Sequence, residues 1–254
     1  MCKVNSTEEL SPGIIKFTVQ APEIAKRAVP GQFLEIKCTE KIDTTLRRPI
    51  SISNKDFKNG LVEFIVQTRG EATSALARTK SGEMLDLLGP IGKGFGLKKT
   101  KNPVIIGGGI GAFPLHFLAK TLDNPNLKIL LGFRNKNAIV LEDEFSKING
   151  KLTIATDDGS YGHNGFVTEL LLDQIKNSEV DMIYACGPLP MLKKVRDIAL
   201  QNNIPCQISV EERMACGVGV CLGCAIKLID GDDWRYGHVC KDGPVFEAQK
   251  VILE

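Results

Sequence analysis

The spacing of four cysteines constrains this chain more than any other feature. Cys216, Cys221, Cys224 and Cys240 read C-x4-C-x2-C-x15-C within the stretch VEERMACGVGVCLGCAIKLIDGDDWRYGHVCKDGPVF. Three thiols arrive within nine residues on a glycine-rich loop, and the fourth returns after an excursion long enough for one hairpin. Gly217, Gly219 and Gly223 leave room for the backbone to curl and turn amide N–H groups inward. Such a loop suits an anionic [2Fe–2S] centre, which needs four sulfurs for its irons and N–H donors for its sulfides. A structural zinc site and unligated core cysteines are the alternatives. Zinc usually takes two C-x(2–4)-C knuckles well apart in sequence, and here the fourth cysteine has no nearby partner.

The first three cysteines match the opening of plant-type ferredoxin loops. A chain of 254 residues has room for two domains and a small appendage. Its apolar fraction of 43% and charged fraction of 24% are those of an ordinary globular protein. A formal net charge of +2 offers no footprint for nucleic acid. No apolar run approaches the length of a membrane span. The opening MCKVNSTEELSPG lacks the apolar core of a signal peptide, so a reducing cytoplasm is the expected setting.

From Lys3 to about Leu97 the text reads as short strands, among them IIKFTVQA, QFLEIKCT, RPISISN and LVEFIVQT, with TSALAR as a short helix. Closely spaced strands and turns predict a small antiparallel β-barrel. After the turn-rich GPIGKGF the rhythm changes to strand, helix, strand: PVIIGGG, a helix from Ala112 to Thr121, LKILLGF, KLTIATDDG, VTELLLDQIKN, DMIYACGP, MLKKVRDIALQNN and CQISVEE. Near-continuous apolar strands alternating with helices predict a doubly wound α/β sheet covered on both faces. The expected division is a barrel domain over 1–98, an α/β nucleotide-binding domain over 99–208 and a small cluster-binding domain over 209–254.

Gly107 to Ala112 follow the strand PVII directly and read G-x-G-x-x-A, with Gly107, Gly109 and Ala112 at the fingerprint positions. A turn of this kind lets a pyrophosphate approach a helix N-terminus; a tight βα turn without ligand is the plainer reading. The acidic residue expected about twenty positions on is absent, and Gly132-Phe133-Arg134 stands there instead. Arg134 is free to approach a ribose or a phosphate, or is a bare surface charge, so NAD and NADP are not distinguished. The strand ends at Asp157-Asp158-Gly159 and at Cys186-Gly187-Pro188 should converge on the same edge. Cys186 either lines a nicotinamide pocket or is a small buried apolar residue.

In the barrel, Arg47-Arg48-Pro49-Ile50-Ser51 offers two arginines beside a strand, either an anion grip or solvated surface. Gly70-Glu71-Ala72-Thr73 opens a short helix and is a second candidate phosphate seat. Taken together, RRPISI, TRGEAT, GGGIGAFP, TDDGSYGHNGFVTELL, YACGPLPML, EERMACGVGVCLGC and VCKDGPVF cover nearly the whole chain in order. They resemble the ferredoxin–NADP reductase superfamily, and within it the electron-transfer subunits of NAD-dependent (class 1B) dihydroorotate dehydrogenases.

The resemblance implies FAD on the R-x-Y-S motif, which falls here on Arg48, Pro49, Ile50 and Ser51, with Arg48 on the phosphate and Ser51 near the ring. The family's aromatic is replaced by Ile50, which offers apolar cover without stacking. Gly70 and Thr73 would belong to the second pyrophosphate turn. Gly107, Gly109 and Gly111 would form the NAD turn, with Cys186 and Gly187 at the nicotinamide. Cys216, Cys221, Cys224 and Cys240 would hold the [2Fe–2S] cluster.

The implied activity is electron transfer from an FMN-containing dihydroorotate dehydrogenase catalytic subunit through [2Fe–2S] and FAD to NAD+ in pyrimidine (UMP) biosynthesis. The expected assembly is a heterotetramer with two copies of each subunit, with the cluster loop at the partner surface. The alternative is the flavin and iron–sulfur subunit of an NAD(P)H–ferredoxin or sulfide-type oxidoreductase, which shares the layout. A non-enzyme alternative has a zinc-stapled tail on a nucleotide-sensing body. His116 reads as packing against its helix or facing solvent rather than reacting, His163 as a residue of a glycine-rich loop more than an NAD contact, and His238 as an unneeded fifth ligand. Trp234 reads as hairpin packing or a partner-facing anchor.

Overall fold

The computed structural model describes residues 1–39 and 45–254. Six strands close the barrel: β1 (Cys2–Ser11), β2 (Ile14–Gln20), β3 (Phe33–Lys37), β4 (Arg48–Asp56), β5 (Leu61–Gln67) and β6 (Met84–Ile91). Their order around it is β1-β2-β5-β4-β3-β6, all antiparallel. Two helices, α1 (Pro22–Arg27) and α2 (Glu71–Ala77), fill connections. The alternation of β3 sends Leu34 and Ile36 into the barrel core and Phe33 and Glu35 outward. Phe17 and Phe64, opposite each other on β2 and β5, stack inside with centroids 5.1 Å apart. The closing strands β1 and β6 escape a pattern reading because their apolar residues are interrupted by charge and by Gly89-Pro90.

The second body is a sheet of seven strands in the order β10-β9-β8-β7-β11-β12-β15. In chain order these run β7 (Pro103–Gly108), α3 (Ala112–Leu122), β8 (Lys128–Phe133), α4 (Glu142–Ser146), β9 (Lys151–Thr156), β10 (His163–Asn164), α5 (Val167–Asn177), β11 (Met182–Cys186), α6 (Leu189–Gln201) and β12 (Cys206–Ser209). β7 to β12 pair in parallel. Alternate residues of β7 serve opposite faces: Ile105 packs with Leu115 and Leu118 of α3, and Val104 and Ile106 pack with Val167, Leu171 and Val195 of α5 and α6. The chain builds outward from β7 in one direction and from β11 in the other. A crevice therefore opens at the carboxyl ends of these two strands.

The barrel and sheet meet along α3. His116 Nδ1 lies 3.2 Å from the Ser53 carbonyl oxygen of β4, and Lys120 Nζ donates to Asn54 Oδ1 at 3.1 Å. Phe117 belongs to the barrel core.

The tail forms a hairpin of β13 (Ala225–Asp230) and β14 (Asp233–His238), then α7 (Val239–Asp242) and β15 (Val245–Glu247). β15 adds to the sheet edge antiparallel to β12, so the tail is bonded into the nucleotide-binding body. The Val210 N–H donates to the Pro244 carbonyl at 3.0 Å and that of Lys93 to Gly243 at 2.5 Å, tying tail, sheet and barrel together. No helix among the described residues is long and apolar enough to cross a membrane.

Candidate functional site

The cysteine loop is pre-shaped for anionic sulfur. Cys216 Sγ accepts the backbone N–H groups of Val218, Val220 and Cys221, each at 3.4 Å. Those bonds are the main reason its thiol titrates at about 6. Gly223 N–H donates to Cys221 Sγ at 3.5 Å. Cys224 and Cys240 are buried with their sulfurs 3.2 Å apart, and the Cys240 N–H donates to Cys224 Sγ at 3.4 Å. Burial, then the adjacent Cys224, pushes the Cys240 thiol up to about 12.

The sulfurs thus stand as two pairs, Cys216 with Cys221 and Cys224 with Cys240. Among the described residues no three His, Cys, Asp or Glu side chains converge on one metal-ion position. Zinc asks for four ligands around one ion, whereas a two-iron cluster takes two ligands on each iron. The donors present fit a [2Fe–2S] centre better than zinc.

The loop leans on the barrel. Gly217 has φ +68°, and a Cβ there would sit 2.5 Å from Glu35 Cγ on the outer side of β3. Its other flank is apolar and open: Val218, Val220 and Leu222 are 50%, 77% and 65% exposed. On the neighbouring hairpin Ile229, Trp234 and Tyr236 are exposed on one face, with the two rings edge to face at 5.0 Å. Lys227 Nζ lies 4.9 Å from the Trp234 ring centroid, so that face carries a cation too.

At the crevice the register of the sheet sets Gly107 directly beside Cys186. Gly111 closes the turn against the next strand end: a Cβ there would lie 2.2 Å from the Cys186 carbonyl oxygen. Gly107, Gly109, Gly111, Cys186 and Gly187 are therefore brought to one edge, over the N-terminus of the eleven-residue α3. Cys186 is 4% exposed, and burial, then Glu211, pushes its thiol up to about 12. Its thiol is neutral at the pH of the cell and packs in the core cluster between the sheet and α3, as a small buried apolar residue would. Glu211, from the start of the tail, thus stands near the crevice as well. Arg134, just after β8, is exposed beside Asp157 and Asp158, which follow β9, and Asp158 Oδ1 accepts from Ser160 Oγ at 2.6 Å. His163 pairs with Glu169 at 2.9 Å.

On the barrel, the two arginines separate in role. Arg47 Nη2 bonds Asp86 Oδ2 at 2.5 Å and its Nη1 bonds the Asp86 carbonyl at 3.0 Å. Among the described residues, Arg48 Nη1 bonds carbonyls of its own turn, those of Leu46 and Arg47, at 2.7 and 3.2 Å. Arg48 is the one that can exchange weak local acceptors for a phosphate. Pro49 pairs across to Glu35, and Ser51 to Phe33. Ile50 packs against the barrel core. Gly70 is exposed with open space beside it. Thr73 Oγ1 accepts the N–H groups of Arg69 and Gly70 at 2.9 and 3.2 Å. Two amides of that turn are thus occupied by a side chain of the chain itself.

Sequence reasoning passes over Glu35. In FLEIK it occupies the polar position of an alternating strand, the signature of a solvent-facing residue; the tail covers that side and leaves it 0% exposed.

Three families of known proteins match successive stretches of the chain. Residues 211–252 match the family described as the iron–sulfur cluster binding domain of dihydroorotate dehydrogenase B. Residues 1–95 match the oxidoreductase FAD-binding domain, and residues 105–197 the oxidoreductase NAD-binding domain. A protein of Caldanaerobacter subterraneus subsp. tengcongensis, named dihydroorotate dehydrogenase B (NAD(+)), electron transfer subunit, is 43% identical over 90% of this chain and 89% of its own. One of the same name from Fusobacterium nucleatum subsp. nucleatum is 38% identical over 100% and 98%. A solved structure of an NADH-dependent reduced ferredoxin-NADP oxidoreductase superposes with a TM-score of 0.88 at 28% identity, over 100% of this chain and 90% of that one. Phthalate dioxygenase reductase, at 18% identity and a TM-score of 0.63 over 91% and 87%, shares the fold.

Proposed function

The chain belongs to the family of electron transfer subunits of dihydroorotate dehydrogenase B, and on that premise we propose how its residues divide the work. It passes electrons taken from dihydroorotate by an FMN-containing catalytic subunit on to NAD+, in pyrimidine biosynthesis. Bound FAD exchanges single electrons on one side and a hydride on the other, and bound [2Fe–2S] carries one electron at a time.

Residues 1–98 hold FAD, 99–208 take NAD and 209–254 bind the cluster. Arg48 grips the FAD phosphate, with Pro49, Ile50 and Ser51 along the same strand and Gly70 and Thr73 at the second turn. Gly107, Gly109 and Gly111 let the NAD pyrophosphate approach α3, while Cys186 and Gly187 floor the nicotinamide side and keep water out. With both rings so held, FAD and NAD would supply the hydride chemistry themselves, and the chain needs no side-chain acid there. Cys216, Cys221, Cys224 and Cys240 would hold the [2Fe–2S] cluster.

The observation that carries this reading is the contact between the Gly217 turn and β3, whose neighbour β4 bears Arg48 to Ser51. With FAD on β4, the cluster loop would lie against the flavin side of the barrel, with its apolar rim facing outward. Val218, Val220 and Leu222, with Trp234 and Tyr236, form the face for the catalytic subunit, in a cytoplasmic heterotetramer with two copies of each chain. The test is reconstitution of the loaded protein with an FMN-containing dihydroorotate dehydrogenase subunit. Dihydroorotate-dependent NADH formation by the mixture, and by neither subunit alone, is the expected result. Reduction of ferredoxin with no response to dihydroorotate would overturn it in favour of a ferredoxin-type reductase.

A further inference from the structure

One buried group has no place in these assignments. Glu35 is fully covered in β3, and among the described residues neither of its carboxyl oxygens has a hydrogen-bond partner. Native proteins rarely leave such a group alone, because it forfeits its hydration. Its cross-strand neighbour Pro49 has no N–H to offer. Arg47 spends its donors on Asp86 and on the backbone oxygen of Glu35. On the other side lies the cluster loop: a Cβ on Gly217 would sit 2.6 Å from Glu35 Oε1. The carboxyl therefore presses on the residue that follows Cys216 and stands between that corner and the strand of Arg48 and Ser51.

The geometry points to Glu35 as the residue that sets the potential of the one-electron step: its carboxylate, wedged between β4 and the Cys216–Gly217 corner, opposes the charge gained on cluster reduction and keeps the cluster a strong donor towards FAD. This rests on the reading of the tail as a [2Fe–2S] site. Well above the pH at which this carboxyl takes up a proton, reduction adds one electron and no proton, so the whole of the added charge meets the carboxylate. Inside the protein that repulsion is weakly screened, and net charge and burial are among the levers on cluster potentials. The residue acts without touching substrate, and its signature is a potential.

The experiment is an EPR-monitored redox titration of the full-length protein, loaded with FAD and iron, at about pH 9. Burial pushes the Glu35 carboxyl up to about 7, so it is ionised there. Glu35→Gln keeps the shape and removes the charge. It should shift the cluster equilibrium about tenfold toward the reduced form, an upward move of about 59 mV for one electron. Glu35→His, also without negative charge, should move it the same way, and Glu35→Asp should stay near wild type. Flavin and iron contents equal to wild type check that each variant is folded and loaded. A midpoint that does not move in Glu35→Gln or Glu35→His, or that moves down, overturns the proposal while leaving the cluster assignment standing. A wild-type protein that binds no iron overturns both.

Discussion

The nucleotide turn and the cysteine loop are both glycine-rich, yet they are built on opposite plans. Gly111 lies against backbone, with Cys186 carbonyl oxygen 2.2 Å from where a Cβ would be. The turn around it is buried between β7, α3 and β11. The cysteine loop lies against side chains, Glu35 behind Gly217 and Lys241 behind Gly219, with Cys221 and Val220 in solvent. The first is part of a core and is complete before any ligand arrives. The second is held by few apolar contacts and takes its rigidity from what it binds and from what covers it. A hydride acceptor must be positioned closely, which favours a core-built turn. A one-electron port must reach another protein, which favours an exposed one.

The contrast is broken most severely at Gly111. Gly111→Ala sets a Cβ into a backbone carbonyl that cannot step aside, and should cost about 3 kcal/mol or more of stability in chemical unfolding. Gly217→Ala adds strain at a positive φ and meets the buried Glu35 side chain, which can shift only in part; it should cost less, about 1–2 kcal/mol, and lower the iron content. If Gly217→Ala proves the more destabilising, the comparison is wrong. Next in size is Cys224→Ser, which breaks the buried sulfur pair. It should abolish the EPR signal and cut dihydroorotate-dependent NAD+ reduction by roughly a hundredfold or more, since the electron path is lost. FAD content and NADH oxidation by small dyes should persist, because neither site includes Cys224. Loss of both together would mean that the loop supports the flavin fold.

A smaller effect is expected on the open flank. Val220→Glu puts a charge at a position 77% exposed, so the free subunit should fold normally. Its affinity for the catalytic subunit should fall about tenfold in a binding titration, the scale of a hot-spot residue. Trp234→Ala should act in the same direction, and an unchanged affinity for both would move the docking face elsewhere. The smallest effect belongs to the seam under the nucleotide turn. Burial holds the His116 pKa below its usual 6.5. The folded form therefore binds fewer protons, and the stability from neutral His116 is fully present above about pH 6.5 and lost as pH falls through the depressed value. His116→Gln should cost about 1 kcal/mol at neutral pH for its weakened bond to Ser53 and flatten the acid limb of the stability profile. An acid limb that the substitution does not change would place the proton uptake elsewhere.

Much of this architecture was legible in the chain itself. The helices from Val167 and Leu189, the buried strands and the Gly107–Ala112 turn rest on short-range periodicity and steric needs, which neighbouring residues express by themselves. β15 was not legible, because three residues, Val245–Glu247, carry too little pattern to announce a strand. Their pairing is set by β12, more than thirty residues away.

The cysteine spacing and the glycines between favoured, by themselves, an iron–sulfur centre over zinc, since three sulfurs on one tight loop are a local matter, while the hairpin that returns Cys240 to Cys224 is not. They did not determine what the loop rests on. Glu35 reads from its strand as a solvated charge, and only the packing of the tail onto the outer face of the barrel makes it a buried, unpartnered carboxyl beside Cys216. Alternation along a strand tells which side chains point away from a barrel. Whether that side meets water or protein is decided by residues nearly two hundred positions later, and burial is a property of the whole fold.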